Sequence, residues 1–171
     1  MKEFASILGF VAHVDVMIEA VPEQEETALR KIGERVALRA KEEFGHYQEG
    51  ASGAAGSVEA WQPLADSTLR GWTNDAGRYY PGKIALGYAT EGDHRPLERT
   101  GDTRDTVDYA VSTSELTVGS ESDVLLAHEL GTDKMPPRSV LALALINTEA
   151  EAVNLLGLHM MKALLIGAGG E

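Results

Sequence analysis

The sequence predicts an α+β fold in which a small antiparallel β-sheet is packed by a long N-terminal helix and a C-terminal helix. Apolar residues recur every three or four positions between Pro22 and Phe44, and apolar and polar residues alternate between Val107 and Val118. A long apolar stretch then fills most of 140–166. Since 171 residues suffice for one independently stable core, we expect a single domain that spans residues 1–171.

The N-terminal part of the chain predicts two helices that are separated at a proline. Residues 4–21 are apolar with both helical and alternating spacing, and we favour a short helix there. Pro22 suits a first helical turn, and the glutamates that follow it complement the positive end of a helix. The longer second helix is expected to run from Pro22 to Phe44, with Gly45 as its C-cap.

Two glycine-rich segments, near residues 50–60 and 72–95, are predicted to be flexible loops. Neither has a sustained hydrophobic period, and the first contains the run Gly-Ala-Ser-Gly-Ala-Ala-Gly-Ser. Loops of this kind either connect elements or become ordered against a partner. The sequence leaves both roles open.

A β-hairpin and a short helix are predicted next. Residues 107–111 and 116–118 alternate on either side of a turn at 112–114. Ser122 is placed to cap a helix through Leu130, which Gly131 closes.

The final helix, within residues 140–166, carries more apolar side chains than one core stripe needs. We expect part of it to contact another subunit. Because Asn154, His159 and Lys162 interrupt the apolar run, we expect no membrane span.

The composition argues against several classes of function. The formal net charge is −12, and no cluster of lysines and arginines compensates for it locally, which disfavours a surface that holds nucleic-acid phosphates. The absence of cysteine excludes disulfides, thiolate metal ligands and cysteine nucleophiles. The N-terminal residues lack a signal-peptide pattern, so we expect no secretion.

The polar residues that invite a catalytic or metal-binding interpretation lack the necessary partners. His128-Glu129 lacks the second histidine of a zinc peptidase, since Thr132 stands there. We interpret both residues as polar positions beside packed leucines at 125, 126 and 130. Asp102, Asp105 and Asp108 do not have calcium-loop spacing, and no phosphate-binding loop or nucleophile elbow occurs. We therefore expect no catalytic residues, no metal and no cofactor.

Three short blocks carry the strongest pattern in the chain. The first block is Trp61-Gln-Pro-Leu64 with Ser67-Thr68, the second is Pro96-Leu-Glu-Arg-Thr-Gly101, and the third is Ala127-His-Glu-Leu-Gly-Thr132 followed by Met135-Pro-Pro-Arg138. Shorter elements accompany them at Gly45-His-Tyr-Gln48, Arg104-Asp-Thr-Val107, Val118-Gly-Ser120 and Ser139-Val-Leu141. In this order, over roughly residues 24–145, the chain resembles the tail-completion and neck proteins of tailed bacteriophages and prophages, which act in virion morphogenesis.

The resemblance implies a structural protein rather than an enzyme. It implies a homo-oligomeric ring, a hexamer or dodecamer, at the head-to-tail junction or the top of the tail, where the ring joins the tail to the capsid. Its partners would be other copies and the neighbouring neck, connector and tail proteins. DNA would pass through the lumen without specific binding. The protein would lie in the virion neck or tail, and in the host bacterial cytoplasm during assembly.

The resemblance also suggests where the assembly interface lies. Arg99 and Arg138 can pair with carboxylates on a neighbouring subunit or within the chain, and the sequence leaves both open. The candidate interface residues are Arg99, Arg104, His128, Glu129, Met135, Pro136, Pro137 and Arg138.

Three alternatives remain at this point. A tail terminator or head-closure protein would share the same location. A hydrolytic enzyme would use His128 with Glu129 or an aspartate. A soluble binding module would dock a partner helix on the apolar last helix.

Overall fold

The structure, a computed structural model, describes residues 6–166 of the chain. Within this range it contains five helices and six short strands, which confirms the predicted α+β class. In chain order the elements are α1 (Ile7–Glu42), β1 (Ala51–Gly53), β2 (Gly56–Val58), α2 (Asp66–Arg70), β3 (Gly71–Thr73), β4 (Tyr79–Pro81), α3 (Asp102–Asp105), β5 (Asp108–Ser112), β6 (Glu115–Gly119), α4 (Asp123–Leu130) and α5 (Leu141–Ile166).

The two long helices, α1 and α5, pack against each other in antiparallel orientation. Asn147 Nδ2 donates a hydrogen bond to Glu43 Oε1 (3.4 Å), and further along the pair the ring of His159 contacts Gln24. The predicted packing by an N-terminal and a C-terminal helix is therefore confirmed. The buried core comprises Ile32, Val36, Ala37, Ala40, Phe44, Trp61, Val107, Leu125, Val140 and Ala144.

The strands form three separate two-stranded antiparallel sheets. The β5–β6 hairpin lies against α1, the β1–β2 hairpin lies against α5, and β3 contacts α2. The first of these contacts requires Gly33, because a Cβ there would lie 2.4 Å from Tyr109 Cδ2. The sequence predicted one small sheet, whereas the structure has three separate hairpins, because each hairpin packs against a helix and not against another hairpin.

The prediction of a helix break at Pro22 is wrong, since α1 is one helix of 36 residues that contains this proline. An internal proline removes a backbone hydrogen bond and crowds the preceding turn, which costs about 3 kcal/mol. Val14, Met17 and Val21 are half-buried at helical spacing, so packing of this face continues up to the proline and offsets part of that cost. Phe4, at the start of the predicted short helix, lies outside the described residues.

The end of α1 also differs from the prediction. Glu43 is the C-cap, and Gly45 follows it with a φ of +88°. The Gly45 N–H donates to the carbonyl oxygen of Pro96 at 2.9 Å. Gly45 therefore does not cap the helix but turns the chain towards the second block, in a conformation that glycine adopts without strain.

Both segments that we expected to be loops contain regular structure. The β1–β2 hairpin lies within residues 50–60, and the β3–β4 hairpin lies within residues 72–95 except for its first residue, Gly71. Trp72 stacks on Tyr80 across the second of these hairpins, with ring centroids 4.8 Å apart. Cross-strand aromatic pairs of this kind stabilise a hairpin that has few other residues to pack.

The later elements follow the predictions closely. Thr113 and Ser114 form the hairpin turn, both with positive φ, and Ser122 Oγ accepts a hydrogen bond from the Leu125 N–H at the start of α4. The packing predicted for α4 is only partly correct. Leu125 is buried, whereas Leu126 and Leu130 are 57% and 74% exposed, because a single face of this short helix meets the core.

Candidate functional site

The three sequence blocks meet at a single cleft of about 500 Å³. We call it the block cleft. Its walls are formed by residues of all three blocks, which are far apart in the sequence, and by residues of α3 and α4. The block residues that line it are Leu64 and Thr68 from the first block, Leu97, Glu98, Arg99, Thr100 and Gly101 from the second, and His128 from the third.

Arg138 joins the third block to the first. Its side chain is only 3% exposed, and Nη2 donates to the carbonyl oxygens of Gln62 (3.1 Å) and Pro63 (3.3 Å). Its backbone N–H donates to the His128 carbonyl at 2.7 Å. Burial lowers the pKa of Arg138. Arg138 makes no ion pair within residues 6–166, and its buried side chain is directed at backbone carbonyl oxygens of the same chain.

Arg99 lies at the block cleft and is exposed. Its guanidinium carbon lies 5.0 Å from the centroid of the Tyr88 ring, a cation–π arrangement. Unlike Arg138, this arginine remains accessible to a carboxylate from another molecule.

Glu129 caps the last helix from a distance of more than ten residues. Its Oε1 accepts hydrogen bonds from the backbone N–H groups of Val140 and Leu141, each at 2.5 Å. Its own carbonyl accepts a hydrogen bond from Ser139 Oγ at 3.2 Å. A carboxylate at a helix N-terminus satisfies free N–H groups and opposes the helix dipole. Sequence rules for capping search within four residues, so they could not find this role.

His128 is half-buried beside the same structure. Its Nδ1 is buried and has no hydrogen-bond partner within the described residues. Burial and the positive charge of Arg138 lower the pKa of His128 to about 4, so the ring is neutral at pH 7. The neighbouring Glu129 carboxylate is occupied by α5, so His128 lacks the orienting carboxylate that a general base commonly has. Among residues 6–166 no cluster of three metal-ligating side chains occurs.

Lys83 supports the block cleft and was not singled out from the sequence. Its Nζ donates to the carbonyl oxygens of His94 (3.2 Å) and Glu98 (2.8 Å), and also to that of Arg95. Desolvation lowers the pKa of Lys83. The lysine therefore holds a loop in which Arg95 and Leu97 have positive φ, and it fixes the second block. No local sequence signal marks a lysine for this task.

The other candidate residues lie outside the lining of the block cleft. Arg104 pairs with the adjacent Asp105 at 3.0 Å. Met135 is half-buried and forms a backbone bridge with Thr132, and the two prolines that follow it, at 136 and 137, are exposed. The structure thus brings Arg99 and His128 to the cleft, places Glu129 and Arg138 behind it, and leaves the rest at its periphery.

A second surface stands out by its apolar character. We define the helical arm as residues 7–21 of α1 together with residues 153–166 of α5. Ile7 and Leu8 are 83% and 81% exposed, and large apolar side chains are exposed along both helices. Exposed apolar surface of this extent marks an interaction site. The exposed members are Ile7, Leu8, Phe10, Val11, Val16, Ile18, Val153, Leu156, Leu158, Met161, Leu164, Leu165 and Ile166.

The helical arm also contains a buried polar contact. His159 is 2% exposed; its Nδ1 lies 3.0 Å from Gln24 Oε1 and its Nε2 lies 3.2 Å from Lys31 Nζ. This arrangement suits a neutral ring that donates from Nδ1 and accepts at Nε2. Burial, followed by the charges of Lys31 and Lys162, lowers the pKa of His159.

By length and composition, α5 is the one helix in the described part of the chain that is apolar enough to cross a membrane, with a mean hydropathy of 1.3. Only 17% of its most apolar 18-residue window is buried. A single helix of this kind is weak evidence for a membrane span, because core helices of soluble proteins meet the same criterion.

Comparisons with protein-family models, curated proteins and solved structures found no match for this chain.

Proposed function

We propose that this chain is a structural virion protein of a tailed phage or prophage. Copies of it form a ring at the head-to-tail junction or the top of the tail and join the tail to the capsid around the DNA channel. The starting point is the resemblance of the ordered blocks to tail-completion and neck proteins.

The observation that carries the proposal is that polar side chains in and around these blocks form hydrogen bonds with the backbone. Arg138, Glu129 and Lys83 all direct their side chains at backbone atoms. In doing so they fix the first block to the third, the third block to α5 and the second block to its loop. Polar side chains that are hydrogen-bonded to the backbone in this way make the surrounding structure rigid. A protein whose motifs maintain shape is suited to assembly.

Two surface properties support the same function. The helical arm exposes apolar side chains on both long helices, as a protein that assembles requires. The formal net charge of −12 suits a protein that surrounds DNA without holding it, because like charges repel.

The test is to delete the gene from a source that carries it and to examine the particles by cryo-electron microscopy. The proposal predicts that joined particles are lost, that they return when the wild-type chain is supplied, and that density at the neck or tail top accommodates the chain in a symmetric ring. Complete necks that lack the chain would contradict the proposal. Separate heads and tails of normal length would indicate a joining role, and tails of irregular length would indicate a terminator.

The hydrolase alternative depends on His128, which lines the block cleft. Its pKa of about 4 and the occupied Glu129 carboxylate do not favour acid–base catalysis at pH 7. Complementation with His128→Ala separates the two functions. A structural protein with this substitution should still restore joined particles, whereas an enzyme that uses His128 should not.

A further inference from the structure

We propose that the buried contact of His159 with Gln24 and Lys31 is an acid-sensitive link between α1 and α5. Protonation of the ring separates the two long helices around His159, while their packing near the core persists. The inference goes beyond the proposed function and does not depend on it. It concerns the response of the purified chain to pH.

The first argument is that the contact requires a neutral ring. The side chain of His159 is 2% exposed, and its two ring nitrogens lie 3.0 Å from Gln24 Oε1 and 3.2 Å from Lys31 Nζ. An amide oxygen only accepts and an ammonium group only donates, so Nδ1 must carry the proton and Nε2 must accept. Only the neutral imidazole satisfies both partners on α1.

The second argument is the effect of an added proton. Protonation makes Nε2 a donor that faces the Lys31 ammonium group, so a hydrogen bond is replaced by repulsion between like charges. Lys31 is an exposed residue and can turn away, but Nε2–H then has no other hydrogen-bond partner among residues 6–166. Because burial of an unpaired charged donor costs free energy, the charged ring favours contact with water.

The charges around the ring set the direction of the response. Burial, the largest cause, and then the cations Lys31 on α1 and Lys162 on α5 lower the pKa of His159 from its usual 6.5. Below pH 6.5 the unfolded chain therefore binds more protons than the folded chain. The contact is intact at about pH 7.5 and weakens as the pH falls from 6.5 towards the lowered pKa.

The carboxylates along this stretch of the two helices are exposed or have other partners. Glu23 and Glu26 are exposed, and Glu25 accepts a hydrogen bond from the serine of the β5–β6 turn at 2.9 Å. Across the helices, Glu151 pairs with Arg35 at 3.1 Å, and both side chains are about half exposed. Exposed ion pairs contribute little to stability, so this pair does not replace the His159 contact.

The third argument is that little apolar burial holds the helices together around His159. Within residues 151–166 of α5, only His159 and Ala163 are fully buried, and alanine buries a single methyl group. Nearer the core, α5 buries Leu143 and Ala144, and the β5–β6 hairpin packs against α1. Loss of the polar contact should therefore separate the helices around His159 and leave the core end packed.

The test measures distances between spin labels by double electron–electron resonance. The chain contains no cysteine, so introduced cysteines are the only labelling sites. Ile18→Cys with Met161→Cys places labels at exposed positions of α1 and α5 on the far side of His159 from the core. Leu38→Cys with Leu145→Cys, whose positions are 48% and 45% exposed, is the matched pair nearer the core. Labelled chain is diluted with unlabelled chain so that distances within one chain dominate.

Both pairs are measured from about pH 7.5 down to about pH 4, while NMR follows protonation of the His159 ring. The distance in the first pair should increase by about 5 Å or more as the ring becomes protonated, because packed helices have interaxial distances of roughly 8–10 Å. The distance in the pair nearer the core should remain constant.

His159→Leu tests whether the ring causes the change. Leucine keeps an apolar side chain between the helices and does not titrate, so the distance in the first pair should no longer depend on pH. His159→Gln is a second variant that does not titrate, for the case in which leucine disturbs the fold. Circular dichroism at about pH 7.5 verifies that both variants retain their helices. His46→Leu is the control, because His46 is exposed, and it should leave the response to acid unchanged.

Four results would overturn the proposal. The ring could stay neutral throughout, or it could become protonated while the first distance remains constant. An increase that persists in both His159 variants would assign the response to another group. An equal increase in both label pairs would mean that the whole chain unfolds. None of these results bears on the proposed ring at the neck, which is tested on particles.

Discussion

At the scale of single residues, the polar side chains of the blocks are of two kinds. Some are buried and hydrogen-bonded to the backbone, which they support, whereas others are exposed to solvent. Arg138 is enclosed and bonded to two carbonyl oxygens, whereas Arg99 lies exposed over Tyr88. The two arginines look equivalent in the sequence, because Arg99 lies near the end of the second block and Arg138 lies at the end of the third. Burial alone separates their roles.

Replacement of Arg138 tests its support role. Arg138→Met keeps the volume but removes the hydrogen bonds to Gln62 and Pro63, so we expect the free energy of unfolding to fall by about 2 kcal/mol. Arg99→Met is the matched control and should cost less than about 1 kcal/mol. Urea denaturation measures both. If both variants lose the same free energy of unfolding, the hydrogen bonds of Arg138 do not stabilise the fold more than the exposed contact of Arg99 does.

His128 predicts a dependence of stability on pH. The pKa of this histidine falls to about 4 in the folded chain from an ordinary value of 6.5. Between these values the unfolded chain binds more protons, so the stability that the neutral ring contributes is present above pH 6.5 and is lost as the pH falls towards 4. The loss approaches about 3 kcal/mol.

Denaturation of the wild-type chain and of His128→Gln at pH 4.5 and pH 7.5 measures this effect. The difference in unfolding free energy between the two pH values should be smaller for the variant. His159, whose pKa is also lowered, contributes a loss of the same sign in both proteins. An unchanged difference would mean that His128 is not shielded from protons.

At the scale of the elements, the local signals were strongest where an element begins or ends. Ser122 and Gly131 delimit α4 as predicted, because their signals act through the adjacent backbone. Pro22 gave a misleading signal, because the packing that carries α1 through it depends on distant residues. The cap of α5 escaped prediction for the same reason, since Glu129 reaches it through a turn of the chain.

Replacement of Pro22 tests the element-scale account of α1. Pro22→Ala restores an N–H donor and removes the crowding of the preceding turn, so the first half of α1 should be stabilised by about 1–3 kcal/mol. Hydrogen exchange of the amides of residues 10–21 should slow accordingly. Thr73→Ala, outside both long helices, is the control. Unchanged exchange in this segment would show that the proline imposes no cost there.

At the scale of the whole molecule, opposing electrostatic effects act on the folded chain. The net charge of −12 destabilises the compact state, because the excess acidic groups repel one another. Local ion pairs such as Arg70–Glu91 stabilise the compact state. Exposed pairs contribute little individually. We therefore expect self-repulsion to dominate.

The salt dependence of thermal unfolding tests this balance. Raising sodium chloride from about 0.02 M to about 0.5 M screens both effects, and Tm should rise because the repulsion is the larger one. Differential scanning calorimetry of the wild-type chain at several chain concentrations follows unfolding, because a Tm that depends on concentration would reveal association between copies. A fall in Tm would assign the greater weight to the ion pairs.

The sequence by itself determined the α+β class, the β5–β6 hairpin, α4 and the existence of a long helix near each end of the chain, because periodicity and capping act over a few residues. Only the tertiary structure decided that α1 runs unbroken through Pro22, that Arg138 and Glu129 serve the backbone, and that three distant blocks share one cleft. These features arise from contacts between residues far apart in the chain, and neither spacing nor propensity records such contacts.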